Sequence, residues 1–244
     1  MIALMLIGIA VGAISGFFGV GGGTILVPVL LHLGIGIKEA IGISIVQMVF
    51  SSLVGSYLNF KKGTLVIGPL IFVGIGGAVG ALGSGYVVET LSSKTLTYIF
   101  LSIVLFAIYR FFHSSAEPHS EPIENRALFF IIGMGIGLLS ASVGVGGSVL
   151  LTPILVGFLH YHIKQAVSAG LFFVIFSSIF GFISHSLYGN INYTYGVIIG
   201  ISSLIGVFAG IHLAHKTDPK RHKNLILVLN FVIVALIIEK LIEG

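Results

Sequence analysis

The sequence predicts an all-α polytopic membrane protein. It is read as two inverted repeats, each a glycine-broken helical hairpin followed by three transmembrane helices. Three observations predict this: composition, a glycine-rich segment that occurs twice, and the placement of positive charge. Of 244 residues, 56% are apolar and 8% are charged, with a mean hydropathy of +1.14. Soluble domains carry about 25% charged residues, so a soluble globule is excluded and a chain of membrane helices is expected. A transmembrane barrel would alternate apolar and polar residues with period two. Residues 99–108 and 225–238 are instead apolar runs without that alternation. The net charge of +4 comes from Lys and Arg between the apolar runs. It reflects topology, and no nucleic-acid partner is expected. The chain has no cysteine, which removes disulfides, thiolate metal sites and thiol chemistry.

The repeated segment organises the chain. Residues 15–30 read SGFFGVGGGTILVPVL, and residues 140–155 read SASVGVGGSVLLTPIL. Eight of the sixteen positions are identical at an offset of 125, including Gly19, Gly21, Gly22 and Pro28 with Gly144, Gly146, Gly147 and Pro153. Glycine costs a helix roughly 1 kcal/mol per position relative to alanine, so such a run breaks it. Within a bilayer, broken helix is tolerated only where protein or a water-filled cavity receives the freed backbone groups. Matching breaks in two halves point to a transporter binding site. The repeat continues beyond the glycines. Residues 37–55 match 163–181 with seven identities at offset 126, and Gly80 matches Gly206. Chance does not produce separated windows of near-equal offset.

In order, residues 2–18 form a first helical arm, broken at 19–23, and a second arm runs from 24 to about 34. The first residues lack a basic segment and have an internal counterpart, so they read as mature helix and not as a cleaved signal. Lys38 and Glu39 mark a surface. Helices follow over 40–60, ended by Lys61, Lys62 and Gly63, then over 65–88 and 96–112, with a polar turn between the last two. Residues 1–112 make the first repeat, 113–125 a polar linker, and 126–244 the second repeat. There the arms cover 126–143 and 149–159, and the helices 165–187, 193–214 and 224–241.

Positive charge decides between parallel and inverted halves. If each broken segment spans once, the halves are parallel and the twelve Lys and Arg residues divide five against seven. If each segment is a hairpin, the halves are inverted. Lys61, Lys62, Arg110, Arg126, Lys164, Lys216, Lys220, Arg221 and Lys223 then face one side, against Lys38, Lys94 and Lys240. Nine against three is the bias of a real topology. Both termini are expected outside, and the linker inside.

The paired motif Gly-x-Gly-Gly-(Gly/Ser), with proline following and then Lys-Glu/Gln-Ala and a serine-rich helix, resembles the sulfite exporter TauE/SafE family. The resemblance covers nearly the whole chain. It implies a multi-pass transporter of the cell inner (cytoplasmic) membrane for a small sulfur-containing or organic anion such as sulfite, sulfoacetate or thiosulfate. The second copy departs from the pattern, with Ser148 where the first has its third glycine.

The residues themselves support an anion site. Each glycine tip precedes a helix, and the first turn of a helix presents unpaired N–H groups and about half a positive charge. Gly19, Gly21, Gly22, Gly23 and Thr24 in one half, with Gly144, Gly146, Gly147 and Ser148 in the other, are therefore the candidate substrate contacts. A packing stripe needs glycine only at every fourth position, as at Gly76, Gly80 and Ser84. In the next helix Ser44, Gln47, Ser51 and Ser52 share one face, with Gly170, Phe173, Ser177 and Ser178 as partners. Gln47 is the one large amide of that pair. Ser44, Gln47, Ser51 and Ser177 complete the candidate set, with Ser15, Ser140 and Ser142 just before the breaks. Interhelical hydrogen bonding and serine bonding to its own helix compete with this role.

The nine histidines form no metal pattern, and neither metal nor cofactor is expected. His160 and His162 read as interfacial. His185 could carry a proton, though a packed neutral ring competes. No acid lies mid-span, so coupling to a proton or other ion stays open. A secondary transporter leads, an anion channel with the same donors is the alternative, and no nucleophile–base pair marks an enzyme.

Overall fold

The computed structural model describes residues 1–113 and 121–243. Among them the chain forms eleven helices and no strand: α1 (Ile2–Phe18), α2 (Gly23–His32), α3 (Ile37–Lys61), α4 (Leu70–Ala81), α5 (Ser84–Thr90), α6 (Ser93–His113), α7 (Arg126–Ser142), α8 (Ser148–Gly157), α9 (Ile163–Leu187), α10 (Tyr193–Lys216) and α11 (Pro219–Glu243). Six stretches are long and apolar enough to cross a membrane: α3, α4 with α5, α6, α9, α10 and α11. The shorter α1, α2, α7 and α8 are the arms of the two broken segments. Most of the linker lies outside the described residues. Of what remains, Ile123 N donates to Leu159 O at 3.1 Å, tying it to the end of α8.

Two boundaries differ from the sequence expectation. The helix expected over 65–88 starts at Leu70, because Pro69 disfavours helical backbone in the residue before it. It is also interrupted near Leu82 and Gly83, where Gly83 N bonds to Gly80 O in a tighter turn. The last helix starts at Pro219 and not near residue 224. Asp218 accepts from the N–H groups of Lys220 and Arg221 at 3.0 and 3.3 Å. Proline suits the first helical position, where its missing N–H leaves nothing unpaired.

Small residues set the packing. Gly8, Gly12 and Gly16 of α1 lie on Ile199, Ser203 and Val207 of α10, so the two helices run parallel in close contact. Gly133 and Gly137 of α7 lie on Val73 and Gly77 of α4 in the same manner. Each broken segment thus packs its first arm against a helix of the other half. Lipid supplies no hydrophobic drive between helices, so association rests on this close van der Waals contact. The outward faces carry large apolar side chains such as Ile205, Phe208 and Leu213, which in a bilayer meet acyl chains.

Gly196 and Gly200 of α10 face Val46 and Phe50 of α3, so these helices are parallel too. Gly55 of α3 meets Leu171 of α9, whereas Gly181 of α9 meets Ile45 of α3. The equivalent helices α3 and α9 therefore run antiparallel at the centre. Four residues turn α2 into α3, and the two lie against each other with Gly22 beside Gln47. Because α1 is parallel to α3 and α2 returns against it, the broken segment doubles back. Its arms are unequal. Gly16 is level with Val207, near Gly55, while α2 begins beside Met48 at the middle of α3.

Candidate functional site

The two glycine segments meet in the centre of the bundle. Gly23, the first residue of α2, lies against the carbonyl of Gly144. The Thr24 hydroxyl sits 3.5 Å from Val145 O and 3.4 Å from Val20 O. Gly21 and Gly146 both rest on Met48 and Val174, which occupy equivalent positions of α3 and α9. The caps of the two short helices, Gly22 and Gly147, have φ of +81° and +84°. That backbone region is open to glycine and strained for other residues.

The backbone donors at these tips are unspent. The carbonyls of Gly22 and Gly147 accept the first helical bonds, from Ile25 and Leu26 and from Leu150 and Leu151. The N–H groups of Gly22, Gly23 and Thr24, and of Gly147, Ser148 and Val149, find no acceptor among the described residues. Two helix N-termini thus present unpaired donors and positive dipole ends in one buried region.

The candidate serines sort into two groups. Ser44 Oγ donates to Gly144 O at 3.0 Å and to Ile41 O at 2.7 Å. Ser51 Oγ reaches Gly21 O at 3.5 Å, and its equivalent Ser177 reaches Gly146 O at 3.0 Å. These three hydroxyls are engaged with tip carbonyls and hold the tips to α3 and α9. Ser52 and Ser178 bond only to their own helices, at Val49 O and Ile175 O. Ser140 and Ser142 do likewise, at Ile136 O and Leu138 O. Ser15 and Ser148 are fully buried, and neither hydroxyl has a partner.

Gln47 stands apart. It is fully buried, and neither its amide oxygen nor its amide nitrogen has a hydrogen-bond partner. The amide lies directly beside Gly22, where Phe173 lies beside Gly147 in the other half. An unpaired buried polar group costs about 1–3 kcal/mol, and this one lies beside the first tip, whose N–H groups are free.

The family model of the sulfite exporter TauE/SafE proteins matches residues 4–237. The chain belongs to the sulfite exporter TauE/SafE family. The chain is also similar to the probable membrane transporter protein YunE of Bacillus subtilis, 24% identical over all of this chain and 98% of its own. A probable membrane transporter protein of Methanocaldococcus jannaschii is 27% identical, covering 89% of this chain and 87% of its own. YdhB, another probable membrane transporter protein of Bacillus subtilis, is 26% identical over 85% and 87%. This TauE/SafE protein is a membrane transporter with several transmembrane helices.

Two features of the candidate site lie outside the residues expected from the sequence. Met48 and Val174 form the floor shared by both tips, yet an apolar pair carries no chemical signal in sequence. Their equal place in the repeat was the available clue. Thr152, in the run after the second tip, is buried without a partner beside Gly170. His185 is also fully buried. It lies near the end of α9, beside the backbone of Ala141, three residues before Gly144. Among the described residues no group of three or more His, Cys, Asp or Glu could hold a metal ion.

Proposed function

We propose that this protein is a secondary transporter that moves a small sulfur-containing or organic anion, such as sulfite, sulfoacetate or thiosulfate, across the cell inner membrane. The anion is held between the N-termini of α2 and α8, by backbone N–H groups from both glycine tips, with the Gln47 amide adding selectivity. The reading is carried by one observation: the buried, unpartnered Gln47 amide lies beside facing tips whose N–H groups have no acceptor. An anion there needs no cationic side chain. Glycine also lets the ligand touch the backbone. Ser44, Ser51 and Ser177 position the tips, and transport without chemical change of the anion needs no catalytic residue.

The halves are inverted repeats in this reading. The antiparallel course of α3 and α9 supports it, together with the exchange of first arms between halves. A two-fold axis in the membrane plane then passes near Met48 and Val174, and the halves can rock about a fixed site. The tips are packed closed, so the anion reaches them when the halves part. Both termini lie outside, and the lysine-rich face lies inside.

Thermal unfolding of the purified protein with sulfite, sulfate, thiosulfate, sulfoacetate, acetate and chloride tests the ligand class. Stabilisation by at least one sulfur oxyanion, absent with chloride, is expected, and no shift with any of them would overturn the reading. Counterflow of the stabilising anion in vesicles separates a carrier from a channel. A carrier gives a transient uphill uptake of label, which a channel lacks.

A further inference from the structure

A polar cleft opens at the end of the bundle where α1, α3 and α10 finish and α9 and α11 begin. Asn59, Thr64, Lys164, Ser168, His215 and His222 line it around free space of about 20 Å³, enough for about one water, so a larger guest seats at its mouth. Lys164 Nζ donates to His215 O at 3.3 Å, Ser168 Oγ to Thr64 Oγ1 at 3.0 Å, and His215 Nε2 to Asn59 Oδ1 at 3.2 Å. Among the described residues no carboxylate lines the cleft.

His222 joins this cleft to the first glycine tip. Its Nε2 is 2.8 Å from the carbonyl of Phe17, two residues before Gly19, where the break begins. A carbonyl only accepts, so Nε2 carries the proton. That leaves Nδ1, buried with the ring at 1% exposure and without a partner. The rings of Phe17 and Phe18 pack against it. The charged and titratable groups facing it are Lys164 from α9 and His215 from α10, with Lys62 and His212 behind His215. On α11 itself the Asp218 carboxylate is occupied by the helix N-terminus.

The opposite face shows that packing does not require these groups. At positions 126 residues earlier, Lys38 Nζ donates to Glu89 O at 3.1 Å, repeating the bond of Lys164 to His215. There Glu89 replaces His215, Gly42 replaces Ser168, and the buried Leu96 replaces His222. The same helix junction is built without a histidine on α6. The basic cleft belongs to one face.

We propose that this cleft is an outer site for a small oxyanion, which binds there together with a proton on His222 Nδ1 before it reaches the glycine tips. Lys164, with one of its three N–H groups given to His215 O, supplies charge and hydrogen bonds, while the Ser168 and Thr64 hydroxyls, which donate to Lys164 O and Asn59 O, hold the cleft wall. Neutral His222, in the cleft wall, keeps an unpaired lone pair on its buried Nδ1, which disfavours an oxyanion beside it. Protonated His222 presents an N–H in its place, so the anion and the proton favour each other's binding. The proton comes from water and no bond of the anion changes. The path inward rests on the tip site proposed above; the outer site itself does not.

Isothermal titration of the full-length protein with sodium sulfite, in two buffers of different ionisation heat, reads affinity, stoichiometry and proton uptake. The wild type is expected to bind two sulfites, one of them with uptake of a proton. H222Q keeps a donor for Phe17 O but cannot take the proton. It should lose that uptake and weaken one site by about tenfold, the effect of one charge-assisted hydrogen bond. The difference from wild type cancels the titration of sulfite itself. K164Q should weaken the same site, and if K164Q does not fold, H222Q decides alone. G147L, which obstructs the tips, should keep the proton-linked site. Wild-type affinity and proton uptake in H222Q would overturn the proposal, as would a single sulfite lost entirely in G147L, or no sulfite bound at all. If G147L keeps both sites and transports, the tip reading falls and the cleft stands on H222Q.

Discussion

Gln47 carries two buried polar atoms that a leucine would not. Its amide is buried with both polar atoms unpaired, beside a glycine whose neighbours are free N–H donors. Gln47→Leu removes the unpaired groups at nearly constant volume. We expect it to raise the stability of the anion-free protein by about 1–3 kcal/mol, read as a higher unfolding midpoint. It should also weaken the stabilising anion, or change the order of preference among anions, read by thermal shift across the same set. A midpoint that falls, with anion affinity unchanged, would make Gln47 a packing residue. Ser51→Ala and Ser177→Ala make a different test. Their hydroxyls already serve the tip carbonyls of Gly21 and Gly146. Each should lower stability by about 0.5–1.5 kcal/mol, the net value of a hydrogen bond. Neither should change anion preference, which a competition assay would check.

At the scale of elements, glycine does two jobs that sequence composition does not separate. In the α1–α10 and α4–α7 seams it lets helices touch. A Cβ at Gly80 would run into the backbone carbonyl of Met134, and one at Gly12 into that of Ser203. Backbone cannot step aside, so Gly80→Leu should mainly lower expression and thermal stability, measured on solubilised protein. At the tips the obstacle is different. A Cβ at Gly22 meets the movable amide end of Gln47, and one at Gly147 meets Phe173 and Ser140. The left-handed φ adds about 1–2 kcal/mol of strain for a residue with a Cβ. Gly22→Leu and Gly147→Leu should each abolish transport in vesicles and remove anion-dependent stabilisation, although they lie 125 residues apart. If one variant keeps both properties, the tips do not share a ligand and the site belongs to one half.

The whole molecule is organised by the antiparallel pair α3 and α9. If the repeats are inverted in the bilayer, the starts of these two helices lie on opposite faces. The chain has no native cysteine, so single-cysteine labelling reports cleanly. Glu39→Cys should react with an impermeant reagent from outside intact cells. His162→Cys and Lys62→Cys should react only after the membrane is opened. All three positions are exposed at helix ends. Labelling of Glu39 and His162 from the same side would remove the inverted arrangement and, with it, a site held between opposed tips.

The sequence by itself determined that this is a helical membrane protein of two related halves, because hydropathy and repetition are carried by composition and order along the chain. It also pointed to the glycine breaks, since a run such as Gly21, Gly22 and Gly23 conflicts with helix wherever it is placed. Its reading of the serines was coarser. Sharing a helix face does not reveal that Ser44, Ser51 and Ser177 are engaged by tip carbonyls while Ser148 and Gln47 are not, because the acceptors come from segments about 30 to 100 residues away. The start of α11 at Pro219 was legible in Asp218-Pro219, a local capping signal. His222 was not. One histidine among nine gains its meaning from Phe17, 205 residues earlier in the chain, and only tertiary packing brings that carbonyl to its ring.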